Sequence, residues 1–126
     1  YRQAVSWLET QVHSGDAVVH ENKLSYFPSY FFDRTLPQRF IADEPGSHND
    51  TYAPASQAAI GLIPAENISS AIGSAEKVYF VVFSQAIAEY QTLDSAGDPN
   101  LQWLDTHMQL AGHQQFNDLE IFIYQK

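Results

Sequence analysis

The sequence predicts an α/β domain: a three-layer, mainly parallel, Rossmann-like sheet with helices on both faces and a C-terminal antiparallel hairpin at the edge. Three observations predict it. Helix-like and strand-like segments alternate along the chain. Two runs, Ala17-Val18-Val19 and Val78-Tyr79-Phe80-Val81-Val82, are apolar on both faces, as strands buried in a parallel sheet are. Near the C-terminus, two strand-like segments flank Asn117-Asp118, a pair suited to a tight hairpin turn.

Val5, Leu8 and Val12 recur at helical spacing, which predicts a helix over residues 1 to 13. Gly15 stops it, because glycine enters the left-handed region cheaply. A strand comes next, over 17–20. Pro28 is welcome at a first helical position and costly inside a helix, so the next helix is expected from Pro28 to about Asp33. Arg39 to Ala42 reads as a short strand. Asp43 to Ala53 carries turn chemistry in Pro45-Gly46-Ser47 and Asn49-Asp50.

Pro54 is expected to open a short helix through about Ile60, and Pro64 another over Ala65 to Ile72, ended by Gly73. Lys77 to Phe83 is the clearest strand and, apolar on both sides, belongs at the sheet's centre. Ser84 reads as the cap of a helix to about Leu93. Asp98-Pro99 is a cap followed by proline at the first helical position, and Leu101, Leu104 and Met108 form that helix's buried stripe. Gln109–Phe116 and Leu119–Gln125 complete the chain as the hairpin.

The 126 residues suggest one domain, and 44% apolar with 13% aromatic residues is enough to fill its core. With no cysteine, disulfides, thiolate zinc sites and a cysteine nucleophile are excluded. The formal charge is −9, and the six Lys and Arg are scattered over positions 2, 23, 34, 39, 77 and 126. Such a field repels phosphate backbones, so no nucleic-acid partner is expected. No apolar run approaches the roughly 20 residues that span a bilayer. The chain opens on Tyr1 with helical periodicity already under way, which reads as a piece excised from a longer protein.

Candidate site residues gather after the first two strands. His20 and Glu21 close the first; Asp43, Glu44 and His48 come after the second. If these strands are neighbours their loops converge, and with Tyr30 they form a rim that could contact a ligand or an interface. The plain reading is hydrated strand ends, with Glu21 or Asp33 paired to Arg34 or Lys23. The spacing matches no tight metal motif, and the loop after the first strand holds no glycine to cradle a phosphate. Ser84 lacks the flanking glycines of a nucleophile elbow. No catalytic, cofactor-binding or metal-binding residue is therefore assigned. Asn67-Ile68-Ser69 matches a glycosylation sequon, a triplet common by chance.

A wider pattern joins these segments. It runs from Tyr1-Arg2-Gln3-Ala4 with Trp7-Leu8, through Gly15-Asp16-Ala17-Val18-Val19 and the aromatic stretch Pro28 to Phe32. It continues with Lys77-Val78-Tyr79-Phe80-Val81-Val82 and closes on Phe116 and Leu119-Glu120-Ile121-Phe122-Ile123-Tyr124. This order, over essentially the whole chain, resembles the C-terminal soluble domain of polytopic family 39 glycosyltransferases. Those are bacterial and archaeal relatives of protein mannosyltransferases and of the lipid A aminoarabinose transferase.

The resemblance implies a parent that transfers a sugar from a polyprenyl-phosphate carrier to an acceptor on the extracytoplasmic side of the membrane. In that family the Arg-x-Ala helix comes directly after the last transmembrane helix. The catalytic acid lies in an early loop between transmembrane helices, so no residue here inherits it. The implied partners are the parent's own transmembrane region and a lipid-linked sugar or acceptor. Two other readings stand beside it: a free-standing metal-assisted α/β hydrolase using His20, Glu21 and Asp43, and a glycan- or protein-binding module built on the aromatic corner around Tyr30.

Overall fold

The computed structural model of the chain describes residues 1–42, 64–93 and 97–126. In chain order its elements are α1 (Arg2–Gln11), β1 (Ala17–His20), α2 (Lys23–Phe32), β2 (Gln38–Phe40), α3 (Ile68–Ile72), β3 (Lys77–Phe83), α4 (Ser84–Leu93), α5 (Pro99–His107), β4 (Gln109–Phe116) and β5 (Leu119–Gln125). The five strands form one sheet in the order β2-β1-β3-β5-β4.

The class is α/β and the sheet is mixed, which corrects the expectation of a mainly parallel one. β2, β1 and β3 run parallel, while β5 joins β3 antiparallel and β4 joins β5 antiparallel. The antiparallel hairpin expected at the edge is there, and β5 supplies both antiparallel pairings. Two residues, Asn117 and Asp118, reverse the chain, so β4 and β5 must lie antiparallel. β5 then pairs with β3 over the whole of that strand, from Lys77↔Gln125 to Phe83↔Leu119. β3 is thus central, with its five inner residues buried.

Strand pleating sends alternate residues of β3 into two cores. Val78, Phe80 and Val82 join Val19 and Tyr124 against Ile68, Ala71 and Ile72 of α3 and Leu104 of α5. Tyr79 and Val81 join Val18 and Ile121 against Ala4 and Leu8 of α1. Tyr26 of α2 packs on Phe40 of β2 with ring centroids 4.6 Å apart.

α1 ends at Gln11, and the turn after it is held by the His13 N–H donating to Asp16 Oδ2 at 2.9 Å, with Gly15 at φ 91°. The start of α2 differs from expectation. It begins at Lys23, capped by Asn22, whose Oδ1 accepts the Leu24 N–H at 2.9 Å; Pro28 lies inside it. Pro28 cannot donate to the Leu24 carbonyl one turn back, and the Tyr1 hydroxyl approaches that carbonyl at 3.4 Å. A good local cap, together with burial of Tyr26 and Ser29, outweighs the proline. Pro28→Ala should restore the missing bond and raise stability by about 1 kcal/mol or more, read as a higher urea midpoint. An unchanged or lower midpoint would show that the proline is not a strained residue here.

β2 comprises Gln38–Phe40 rather than 39–42; Ile41 still donates its N–H to the His20 carbonyl of β1 at 3.1 Å and forms an isolated parallel bridge with Ala65. The Ala65 N–H donates to the Phe40 carbonyl and the Ala65 carbonyl accepts from the Ala42 N–H, both at 2.8 Å. Ala65 is thereby held extended, and α3 starts at Ile68 instead of at Ala65. Asn67 of the sequon serves as its cap, accepting the Ser70 N–H at 2.8 Å. The turn residues 43–53 and the helix expected near Pro54 lie outside the described residues.

Ser84 is the first residue of α4 rather than its cap; its N–H donates to the Asp118 carbonyl at 2.8 Å and ties the helix to the hairpin turn. Asp98 and Pro99 open α5 as expected, with Asp98 Oδ1 accepting the N–H groups of Asn100 and Leu101.

Candidate functional site

The carboxyl end of β1 is the place to build from. The chain leaves β1 through α2 and returns beside it as β2, whereas β3 takes the other flank. That reversal puts the carboxyl ends of β1 and β3 at a topological switch point, where open α/β sheets tend to bind ligands. His20 is the last residue of β1, opposite Phe40 on one side and Val81 on the other.

The strand end is buried, which corrects the expectation of hydrated groups. His20 is fully inaccessible, Glu21 and Asn22 are each 7% exposed, and Lys23 is 1% exposed. His20 Nε2 lies 2.7 Å from Gln38 Oε1, and its Nδ1 lies 3.0 Å from Ser25 Oγ. The Gln38 amide nitrogen donates to the Asp33 carbonyl at 3.0 Å, so its oxygen faces His20 and accepts. Nε2 therefore carries the ring proton and Nδ1 accepts from Ser25. The Ser29 hydroxyl donates a further bond to the same Gln38 oxygen at 2.6 Å. Burial pulls the His20 pKa down to about 4, with the Gln38 bond opposing that shift. A neutral imidazole with both nitrogens engaged is a structural hub, not a poised base or metal ligand.

Glu21 lies beside α5: its N–H donates to the Val81 carbonyl at 3.0 Å, and its Oε1 accepts from Asn100 Nδ2 at 3.5 Å. Asp98 is 3% exposed, and among the described residues its Oδ2 has no hydrogen-bond partner. Local sequence marks Asp98 only as a cap, and it does not mark Gln38, Ser25, Ser29 or Asn100 as members of this buried cluster. Their positions depend on which strands become neighbours, which no local pattern records.

Tyr30 is linked to His20 through Tyr26, whose ring packs edge-on against the imidazole at 5.6 Å. The Tyr30 ring stacks on Tyr26 at 5.4 Å, and the Arg34 guanidinium sits over it at 5.4 Å and over Phe31 at 5.3 Å. Of the pairings expected of Glu21 or Asp33 with Arg34 or Lys23, Asp33 is engaged otherwise: its Oδ1 accepts the Thr35 hydroxyl and the Thr35 N–H, the latter at 2.7 Å, which hold its pKa below the usual carboxylate range. Asp43, Glu44 and His48 lie outside the described residues. Among the described residues, no group of three or more His, Asp or Glu is placed to hold a metal ion.

At the opposite end of the parallel strands, an open cleft of about 560 Å³ is lined by Glu9, His13, Gly15, Asp33, Thr35 and Pro37. Its histidine is engaged locally, with Nδ1 2.7 Å from the Gln11 carbonyl. At the C-terminus of α5, His107 stacks on Trp103 at 4.0 Å, with Nδ1 2.8 Å from the Trp103 carbonyl.

Among the described residues, large exposed apolar side chains lie on α4 (Tyr90 and Leu93), on β4 (Leu110) and, as a group of three, on α2. Phe31 is 60%, Phe32 53% and Leu24 40% exposed, and Tyr1, at 41%, reaches the Leu24 carbonyl. Among the described residues, no helix is long and apolar enough to cross a membrane. In comparisons with protein-family models, curated proteins and solved structures, the chain has no match.

Proposed function

We propose that this chain is the extracytoplasmic C-terminal domain of a polytopic family 39 glycosyltransferase. In this reading it is non-catalytic, and it seats against the parent's transmembrane region near the lipid-linked sugar or acceptor. The finer description of the fold, a Rossmann-like three-layer domain with an antiparallel hairpin appended, belongs to the same reading. The observation that carries it is the outward face of α2. Three large apolar side chains stand in solvent there, flanked by Arg34 and adjoining Tyr1. Under the resemblance, the last transmembrane helix leads directly into α1, so this face lies beside the point where the chain leaves the bilayer. Aromatic rings and arginine suit that boundary, each having an apolar body and a polar or charged portion.

The hydrolase reading loses its base at His20, whose two nitrogens are committed to Ser25 and Gln38. The binding-module reading retains Tyr30, but the partner face it offers is the same aromatic helix.

The test has two arms. The parent reading frame should carry many hydrophobic spans before Tyr1; a parent with none would refute the assignment. In the full-length protein, Phe31→Ser with Phe32→Ser should reduce sugar transfer at least about tenfold while leaving the isolated domain folded, since both side chains are already exposed. Undiminished transfer would remove α2 from the contact.

A further inference from the structure

Among the described residues β4 is an edge strand with few of the usual safeguards. The opposite edge, β2, is only three residues long, whereas β4 has eight. Most β4 side chains are exposed, and Gln109 to Phe116 contain no proline, lysine, arginine, aspartate or glutamate. Natural edges are normally blunted by one of these residues. One device is present, a register irregularity between Leu110 and Gly112, and it leaves the ladder from Gly112 to Phe116 regular.

The turn sets the direction of the free backbone groups. A two-residue hairpin makes Phe116 and Leu119 a hydrogen-bonded pair, and such pairs alternate along an antiparallel ladder. Gln114 therefore bonds inward to Ile121. His113 and Gln115 direct their N–H and C=O groups away from β5.

We propose that this edge pairs antiparallel with β4 of a second copy of the chain, joining two sheets into one. The segment is complementary to itself in one register, with the two-fold axis at Gln114. His113 then exchanges both backbone bonds with Gln115 of the other copy. The two Gln114 side chains meet face to face, each offering an amide donor and an amide acceptor. Phe116, whose ring packs against Trp7 of its own chain at 6.0 Å, falls opposite Gly112. Gly112 itself is tight on its inner side: a Cβ there would meet Ile123 Cδ1 at 3.1 Å.

The net charge opposes association of two copies, and that opposition is least at β4. The chain carries −9, so faces rich in carboxylates repel each other, and β4 is free of them. Five paired residues make a small interface, so a Kd on the order of 10 to 100 μM is expected.

Sedimentation equilibrium of residues 1–126 tests the proposal. The wild-type chain should self-associate to a dimer and no further, because a two-fold pairing consumes the edge. Gln114→Glu and Gln114→Lys each place like charges opposite one another and should weaken association at least about tenfold, while an equimolar mixture of the two should re-associate. Gln115→Pro removes an outward N–H without touching the bonds to β5 and should also give a monomer, its fold checked by circular dichroism. A wild-type chain monomeric to about 1 mM would overturn the proposal. So would a dimer that Gln114→Glu leaves intact, since the contact would then lie elsewhere.

Discussion

Phe80→Ala should cost about 3–5 kcal/mol, a large part of the roughly 5–15 kcal/mol that holds a typical domain folded. Phe80 is at the middle of β3, the central strand, opposite Val19 of β1 and Phe122 of β5, with no accessible surface. Its ring fills the core under α3 and α5, and neighbours fixed in a sheet can relax only partly into the space it leaves. Tyr79→Phe is the contrast at the next position. It keeps the ring in the α1-side core and removes one hydroxyl, which donates to the Gln11 carbonyl at 3.1 Å. That change should cost about 1 kcal/mol. Urea midpoints for the two variants decide the matter; a Phe80→Ala chain as stable as Tyr79→Phe would mean that the two-sided core is wrongly assigned.

Acid should weaken the fold through His20. Its pKa falls from an ordinary value of 6.5 to about 4 when the ring is buried, so the unfolded chain binds the proton more readily than the folded one. His20 therefore disfavours unfolding fully above about pH 6.5, and that contribution is lost as the pH drops toward 4. The difference amounts to as much as about 3 kcal/mol. Protonation would place two donors on the ring, and Ser25 would have to turn its hydroxyl away from Nδ1.

The measurement is unfolding free energy against pH for the wild type and for His20→Asn. The variant should be less stable near neutrality and flatter across that window. NMR of the His20 ring should show it neutral down to about pH 5; a titration midpoint near 6.5 would mean that the ring is not sealed in. Tyr124 acts in the alkaline range. Burial, followed by its bond to Asp105, raises its pKa, so its contribution is present below the ordinary tyrosine value and is lost as the pH rises through and beyond it.

The candidate site shows where local reading stops. His20 and Glu21 are legible as polar groups closing a buried strand, because the apolar run Ala17-Val18-Val19 gives way there to polar residues. Their state is not legible. Gln38 reaches His20 across 18 positions of sequence, and Asn100 reaches Glu21 across 79, distances at which no periodicity operates. Pro28 illustrates the same limit within one helix: its local preference for a first turn is overridden by the Asn22 cap and by packing of Tyr26.

Elements whose signals are carried within a few residues are readable from the chain alone. These include the two-sided apolar run of β3, the Asp98-Pro99 start of α5 and the Asn117-Asp118 reversal, because propensity, capping and turn geometry act locally. Tertiary structure alone decided that β5 rather than a parallel strand flanks β3, that the β1 end is sealed, and that among the described residues β4 is an edge of the sheet. Strand neighbours are selected by which buried faces fit together, and that choice is made between distant segments of the chain.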